Sequence, residues 1–255
     1  MATYKKRGGK PSTKIEKETS IEDGSTTAEV FNTLDESASR TEEWVIKNQK
    51  YIFIIVGLAA VMVLGFLGFD KFIQEPKESM ATNDMFQSQQ YFDQAVNGAS
   101  KDSLFTLALN GSDGKYGFLD IAEVYSGTKA GNLSNYYAGM AYLNMKDYTN
   151  AVTYLNAFSS EDDVLGPIAK GGIGDAFVQL EQLEDAYDYY VQAAELQSNE
   201  YTTPMYFYKA GVIGLKLGNY TKSLEFFNQI KSEFPESTEA KDIDVFIGKA
   251  EAAIN

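Results

Sequence analysis

Residues 136–158 read YYAGMAYLNMKDYTNAVTYLNAF, and the chain repeats their pattern twice more. The related segments are GGIGDAFVQLEQLEDAYDYYVQAA at 171–194 and FYKAGVIGLKLGNYTKSLEFFNQI at 207–230. When the copies are aligned on Gly139, Gly174 and Gly211, they lie 35 and 37 residues apart. Self-similarity at such a period predicts a stack of similar helical units.

Small and large residues recur at fixed distances within each copy. Twelve positions after the glycine comes a second small residue, and four positions later a large one. The small residues are Ala151, Ala186 and Ser223, and the large ones are Leu155, Tyr190 and Phe227. Because residues three and four apart share a helix face, this spacing predicts two antiparallel helices that approach closely at the small residues. The first helix of each pair is expected to end at Lys146-Asp147, Glu181-Gln182 or Gly218-Asn219.

The arrangement resembles the tetratricopeptide repeat, whose period is about 34 residues with small, aromatic and proline positions in this order. Pro235 lies 24 residues after Gly211, where that pattern has its proline. Copies one and two lack the proline, and in copy three Gly214 and Ser223 replace the aromatic residue and the alanine. The resemblance implies an all-α fold, a tetratricopeptide-repeat α-solenoid; an unrelated helical bundle is the alternative. The predicted repeats are 132–165, 167–200 and 204–237.

The segments on either side of the repeats predict capping units. A stack of hairpins leaves apolar faces open at both ends, so its terminal units differ from the inner ones. We expect a divergent opening hairpin at 83–130, interrupted by the glycine-rich stretch 109–117, and a capping helix at 239–254. The inner side of that helix is expected to carry Ile243, Ile247, Ala250 and Ile254. Ahead of these units, Pro76 indicates a linker at 73–82.

An uncharged run, YIFIIVGLAAVMVLGFLGF at 51–69, precedes the linker. About 20 apolar residues at roughly 1.5 Å each cover a hydrocarbon core of roughly 30 Å, so a single transmembrane anchor helix is predicted at 44–72. A secretory signal peptide would be shorter, nearer to residue 1 and followed by a small-residue cleavage site. The nearby basic residues are Arg40, Lys47 and Lys50 before the run and Lys71 and Lys77 after it. This small excess predicts a cytoplasmic N-terminus and a translocated C-terminal part.

Composition divides the chain at the apolar run. Residues 1–50 hold nine Lys/Arg and nine Asp/Glu with few apolar residues, so we predict a disordered cytoplasmic arm at 1–43. Residues 70–255 hold 13 Lys/Arg and 27 Asp/Glu, a net of −14 that equals the charge of the whole protein. Such an acidic module lacks the basic stripe that nucleic-acid binding requires, so the repeat domain is expected to bind no nucleic acid.

The absence of Cys and His excludes several kinds of chemistry. Disulfides, thiol nucleophiles, His-dependent triads and the usual zinc sites all need these residues. The glycine-rich stretch 166–175 lacks the Lys-Ser/Thr pair of a nucleotide-binding loop. The acidic trio 161–163 is expected to cap the turn between repeats rather than bind a cation. We therefore predict a non-enzymatic protein with no catalytic residue, no cofactor and no metal.

Function is expected to depend on the inner face of the stack, where repeat proteins bind extended ligands. In the tetratricopeptide family this face is formed by first-helix positions six before, three before, one after and four after the small residue. The matching residues are Leu133, Tyr136, Met140 and Leu143 in copy one, Ile168, Gly171, Asp175 and Val178 in copy two, and Met205, Tyr208, Val212 and Leu215 in copy three. Met, Tyr and Leu are suited to adaptable binding of varied apolar segments. Packing against the caps is the alternative role for each of them.

The whole layout is similar to the YfgM-like family, the ancillary subunits of the bacterial Sec translocon. The stretches 117–143 and 226–237 resemble those of its Bacteroidota branch. This resemblance implies a single-pass protein of the bacterial plasma membrane with a periplasmic domain. It also implies protein partners: Sec subunits and secreted clients or periplasmic chaperones. A scaffold for cell-envelope assembly or division and an N-anchored organelle import receptor are the alternatives.

Overall fold

The computed structural model describes residues 26–98, 101–160 and 162–254 of the chain. Within these ranges every regular element is helical and there is no β-strand, which confirms the predicted all-α class. The chain separates into two compact units, Met1–Phe69 and Asp70–Asn255.

Helix α1, Thr26–Phe69, carries the apolar run of the first unit. Most apolar side chains of residues 44–69 are exposed; Val61 and Phe66, for example, are 68% and 69% exposed. Among the described residues, one helical run, Thr41–Asn97, is long and apolar enough to cross a membrane. Residues 26–43, predicted as disordered, are helical instead, because extending a helix that the apolar run has nucleated costs less than starting one. The remainder of the predicted arm lies outside the described residues.

The second unit begins with a π-helical turn, Asp70–Gln74, and helix α2, Glu75–Asn97. The linker predicted at 73–82 is therefore helical. Pro76 lies in the first turn of α2, directly after the π-helical turn, where the hydrogen-bond pattern changes between the two kinds of helix.

Two short helices follow, α3, Lys101–Asn110, and α4, Phe118–Val124. The opening unit predicted at 83–130 is thus a group of three helices rather than a hairpin. Helix α3 forms because Phe105, Ala108 and Leu109 lie on one helix face and are buried in the core of this unit.

Aromatic and polar contacts join the opening helices to the first repeat. The ring of Phe92 on α2 packs edge-on against Phe105 and Tyr137, with centroids 5.5 and 5.1 Å apart. The carboxylate of Glu78 accepts a hydrogen bond of 2.6 Å from the backbone N–H of Lys129, at the start of the first repeat helix. A carboxylate at a helix N-terminus accepts a hydrogen bond from an N–H that has no partner within the helix, and it interacts favourably with the positive end of the helix dipole.

Three antiparallel helix pairs form the repeats. They are α5, Lys129–Asn144, with α6, Tyr148–Ala157; α7, Leu165–Gln179, with α8, Leu183–Leu196; and α9, Thr202–Leu217, with α10, Tyr220–Glu233. The predicted small residues of the second helices, Ala151, Ala186 and Ser223, have no exposed surface. A Cβ atom added to Gly139 would come within 2.5 Å of Leu155, so the two helices approach closely at the predicted position.

The turns within the pairs share one backbone conformation. Lys146, Glu181 and Gly218 have φ angles of 65, 61 and 81°, in the left-handed region. At the first turn, the N–H of Asp147 bonds to the carbonyl of Tyr142 at 2.9 Å, and the equivalent bonds occur at the other two turns. This pattern is a Schellman motif, which ends a helix by satisfying its last carbonyls. Each first helix therefore ends where the sequence predicted.

A 3₁₀ turn, Glu239–Asp242, and helix α11, Ile243–Ile254, close the stack. Ile243 and Ala250 are buried and Ile247 is half-buried, as expected for the inner side of a capping helix. Ile254 differs from the expectation, because it lies in the last turn of α11 and is 48% exposed.

The helices of the repeats form two layers. Consecutive helices contact each other from α4 to α11, and the first helices also contact one another, α5 with α7 and α7 with α9. We refer to the surface of α5, α7 and α9 as the first-helix face, and to the surface of α6, α8 and α10 as the second-helix face.

Candidate protein-binding face

The first-helix face carries the side chains that the sequence assigned to partner binding. Eleven of the twelve are half-buried, so each combines a packed portion with an accessible one: Ile168 on α7 and ten others. The ten others are Leu133, Tyr136, Met140 and Leu143 on α5, Asp175 and Val178 on α7, and Met205, Tyr208, Val212 and Leu215 on α9. Gly171 differs, because it is buried and a Cβ there would overlap the ring of Tyr206.

Three of these residues meet in one depression between the first two repeats. Leu143, Asp175 and Val178 line a cavity of about 430 Å³, together with Tyr148 and Tyr190. Gly172 of α7 packs beside this depression: a Cβ atom there would lie 3.1 Å from Leu155, a tight contact, and 3.7 Å from Leu143, an ordinary one. The volume suits one or two apolar side chains of a bound segment.

A charged pair lies at the edge of this depression. The ammonium of Lys209 is 2.7 and 2.9 Å from the two carboxylate oxygens of Asp175, across the boundary between the second and third repeats. The hydroxyl of Tyr190 donates to the same carboxylate at 2.5 Å. The ammonium also lies 5.4 and 5.6 Å from the ring centroids of Tyr190 and Tyr206, within cation–π distance.

Burial and this carboxylate affect the two tyrosines. Burial, with the negative charge of Asp175 second, raises the pKa of Tyr190 far above its usual range. The same two causes, in the same order, raise the pKa of Tyr206. Both hydroxyls therefore stay protonated, and Lys209 has its charge balanced by Asp175. The cluster offers a partner hydrogen-bonding groups with little net charge.

Sequence reasoning placed Asp175 on this face but missed Lys209. A signal was available in the repeat period. Lys209 lies 34 residues after Asp175. The second and third repeats are 37 residues apart, so Lys209 lies about one helical turn before the position that corresponds to Asp175. First helices of neighbouring repeats pack side by side, so residues offset in this way can face each other.

The rings at the two ends of the face also take part in packing. Tyr136 lies against Phe158, with centroids 5.3 Å apart, and burial raises its pKa. Tyr208 packs edge-on against Phe246 of the capping helix at 5.0 Å. Packing against a cap, the alternative role considered for each residue, therefore applies to Tyr208. Leu143 and Val178, in contrast, line the open depression.

The acidic stretch near residue 162 has a structural role. Asp162 accepts hydrogen bonds of 2.9 and 2.7 Å from the backbone N–H groups of Val164 and Leu165 at the start of α7. These bonds lower the pKa of Asp162. It therefore caps the turn, as predicted for its trio, of which Glu161 lies outside the described residues. Within the described ranges, no three Asp or Glu residues are grouped so that they could hold a metal ion.

A comparison with protein families matches residues 134–162 and 206–237 to the tetratricopeptide repeat. These two segments are similar to that repeat. They contain most of the first and third helix pairs, and the second pair has the same helix order and the same turn conformation. No curated protein matches the chain. Tetratricopeptide repeats indicate a module for protein–protein interaction, typically without catalytic activity.

Proposed function

We propose that the chain is a membrane-anchored, non-enzymatic protein-binding module, an ancillary subunit of the bacterial Sec translocon that contacts periplasmic clients or chaperones. The observation that carries the proposal is the depression on the first-helix face, with Leu143 and Val178 half-buried beside a neutralised charged pair. A site of this kind suits apolar side chains presented by another protein.

The membrane anchor of the proposal is residues 51–69 in helix α1. The run has no charged residue, and its side chains are exposed in the structure. Exposed apolar side chains over this length are stable when lipid surrounds them. The excess of Lys and Arg before the run supports a cytoplasmic N-terminus, which puts the repeats in the periplasm.

The side chains of the first-helix face favour binding of internal apolar segments over binding of a peptide's terminal carboxylate. A peptide held by its terminal carboxylate needs an unbalanced cation at first-helix positions, and there the ammonium of Lys209 is already bound to both oxygens of Asp175. Lys146 also lines the depression, but it lies in the turn that follows α5. Met140 and Met205 are flexible side chains that can adapt to different apolar partners. We therefore propose internal apolar segments of client proteins as ligands.

The link to the Sec translocon rests on resemblance. The layout of a short arm, one anchor and an acidic repeat domain is similar to that of the YfgM-like subunits, as are the stretches 117–143 and 226–237. A scaffold with one fixed partner would use the same face, so partner identity separates these two roles.

A reporter fusion tests the topology. Alkaline phosphatase, which is active only when exported, is fused after residue 255 and, as a matched control, ahead of residue 1 of the full chain. The proposal predicts activity from the fusion after residue 255 and none from the control. An inactive fusion after residue 255 with an active control would place the repeats in the cytosol, as in an import receptor, and overturn the proposal.

A further inference from the structure

The third repeat departs from the other two at Gly214, and the departure changes the second-helix face. In the first repeat the aromatic residue at this position, Tyr142, stacks on Tyr154 with centroids 5.5 Å apart. In the second repeat Phe177 lies against Tyr189 at 5.4 Å. In the third, glycine takes this position and provides no ring.

Tyr187 of the preceding repeat takes the space that the missing ring leaves. A Cβ atom on Gly214 would lie 3.2 Å from a ring atom of Tyr187. The same ring lies 6.4 Å from that of Phe226, which occupies the position of Tyr154 and Tyr189. The second and third repeats are thus joined on this side by a contact between α8 and α10.

A depression of about 380 Å³ lies between α8 and α10, and we call it the outer depression. Its apolar lining is formed by Tyr187, Val191 and Phe226. Tyr187 and Val191 are half-buried, and Phe226 is buried beneath them. The floor therefore accepts an apolar side chain, and this space is separate from the depression on the first-helix face.

The rim of the outer depression is acidic. Helix α8 contains four acidic residues and no basic one. Two of them, Asp188 and Glu195, line the outer depression and are exposed. Lys222 also lines it, but its ammonium is bound to Glu225 at 2.8 Å. The two carboxylates on α8 thus keep a net negative charge beside an apolar floor.

The spacing of these carboxylates indicates how basic residues must be spaced on a complementary partner helix. Asp188 and Glu195 are seven residues apart, which is about 10 Å along a helix. A partner helix lying along the groove matches them when it carries two basic residues seven positions apart. An apolar residue midway between them then faces Tyr187 and Val191.

We propose that the outer depression is a second docking surface, for a basic amphipathic helix of a partner protein. A leucine-like side chain of the partner helix enters the outer depression, and two cations of that helix pair with Asp188 and Glu195. The complementarity of charge favours a protein helix over an anionic membrane, which the net charge of −14 on residues 70–255 repels.

A designed peptide tests this surface. The probe is a fluorescein-labelled, helix-forming peptide of alanine and glutamine with lysines at positions i and i+7 and leucines at i+3 and i+4. The full chain is held in nanodiscs of zwitterionic lipid, and binding is followed by fluorescence anisotropy. We expect saturable binding that weakens with salt and is lost when the leucines of the peptide are replaced by glutamine.

Matched charge reversals locate the binding. Asp188→Lys combined with Glu195→Lys is expected to weaken binding by roughly tenfold or more, since two attractive ion pairs are replaced by repulsion. Glu200→Lys combined with Glu236→Lys changes the net charge by the same amount at exposed positions outside the outer depression. We expect this control to bind within about twofold of the wild type, a difference of about 0.4 kcal/mol.

Three outcomes would overturn the proposal. One is an equal loss in both double variants, which would indicate general attraction to an acidic domain. Another is undiminished binding of the glutamine-substituted peptide, which would exclude the apolar floor. The third is the absence of binding to the wild-type chain.

Discussion

Gly174 on α7 lies directly against the ring of Tyr190 on α8. A Cβ atom added to the glycine would come within 2.6 Å of ring atom Cε1, closer than real Cβ contacts. The same relation links Gly211 with Phe227, at 2.4 Å. The paired helices thus approach closely at a position that lacks a side chain, and the large residue of the second helix fills the space.

Gly174→Ala is expected to destabilise the protein. Alanine is favoured over glycine in a helix by about 1 kcal/mol, but its methyl group would displace the buried ring of Tyr190. Overpacking of a core costs about 1–3 kcal/mol, so we expect a net loss of up to about 2 kcal/mol. Thermal unfolding followed by near-ultraviolet circular dichroism in detergent measures this.

Gly248→Ala is the matched control for this prediction. Gly248 lies in α11, and no atom would lie within 4 Å of an added Cβ. Here only the helix propensity changes, so the free energy of unfolding of the variant should rise by about 0.5–1 kcal/mol. Equal stability changes in the two variants would show that Gly174 is not a packing position.

The left-handed turn residues provide a second prediction. A residue with a side chain costs roughly 1–2 kcal/mol in this conformation, and glycine does not. Lys146→Gly and Glu181→Gly should each raise the free energy of unfolding by about 1 kcal/mol, and Gly218→Ala should lower it by a similar amount. Chemical denaturation of the three variants checks this. Destabilisation by both glycine substitutions would contradict the left-handed assignment.

The repeat register could be predicted from the sequence because it depends on local spacing. Gly139, Leu155 and the turn at Lys146 follow from helical periodicity and turn chemistry alone. Helix α3 was missed, since Lys101–Asn110 is short and its burial depends on contacts with other helices. The helical start of α2 was missed because Pro76 is compatible with both a linker and a first helical turn.

The binding face could be predicted only in part. First-helix positions follow from the register, and the structure places eleven of the twelve half-buried on one face. The pairing of Asp175 with Lys209 depends on how two repeats pack, which one repeat does not specify. The outer depression likewise depends on the position of Tyr187, whose ring occupies the space beside Gly214 of the next repeat.

The pair Asp175–Lys209 should stabilise the contact between repeats modestly. The two side chains are 40% and 33% exposed, so solvent screens their attraction. A double-mutant cycle with Asp175→Asn and Lys209→Gln is expected to give a coupling of about 0.5–1 kcal/mol. The coupling should shrink in high salt. A coupling of zero at low salt would contradict the role given to this pair.

Alkaline pH is expected to destabilise the second unit. The hydroxyl of Tyr125 donates to Asp84 at 2.5 Å, and this hydrogen bond raises the pKa of Tyr125 to about 12. The unfolded value is about 10, so the folded state holds this proton more tightly. The resulting stability is fully present below pH 10 and is lost as the pH rises towards 12.

Carbon-13 NMR of labelled tyrosine checks this prediction. In the Asp84→Asn variant the pKa of Tyr125 should fall towards 10, and the melting temperature should depend less on pH between 10 and 12. The same titration midpoint for Tyr125 in both proteins would show that the carboxylate does not hold the proton.

Photo-crosslinking from the first-helix face tests the central claim most directly. A benzophenone amino acid replaces Leu143, which lines the depression, or Thr153, which is exposed on α6, as the control. After irradiation of living cells, we expect position 143 to yield adducts with Sec subunits and several secreted proteins, and position 153 to yield none of these. The same adducts from both positions, or one stoichiometric partner without any Sec subunit from position 143, would contradict the central claim.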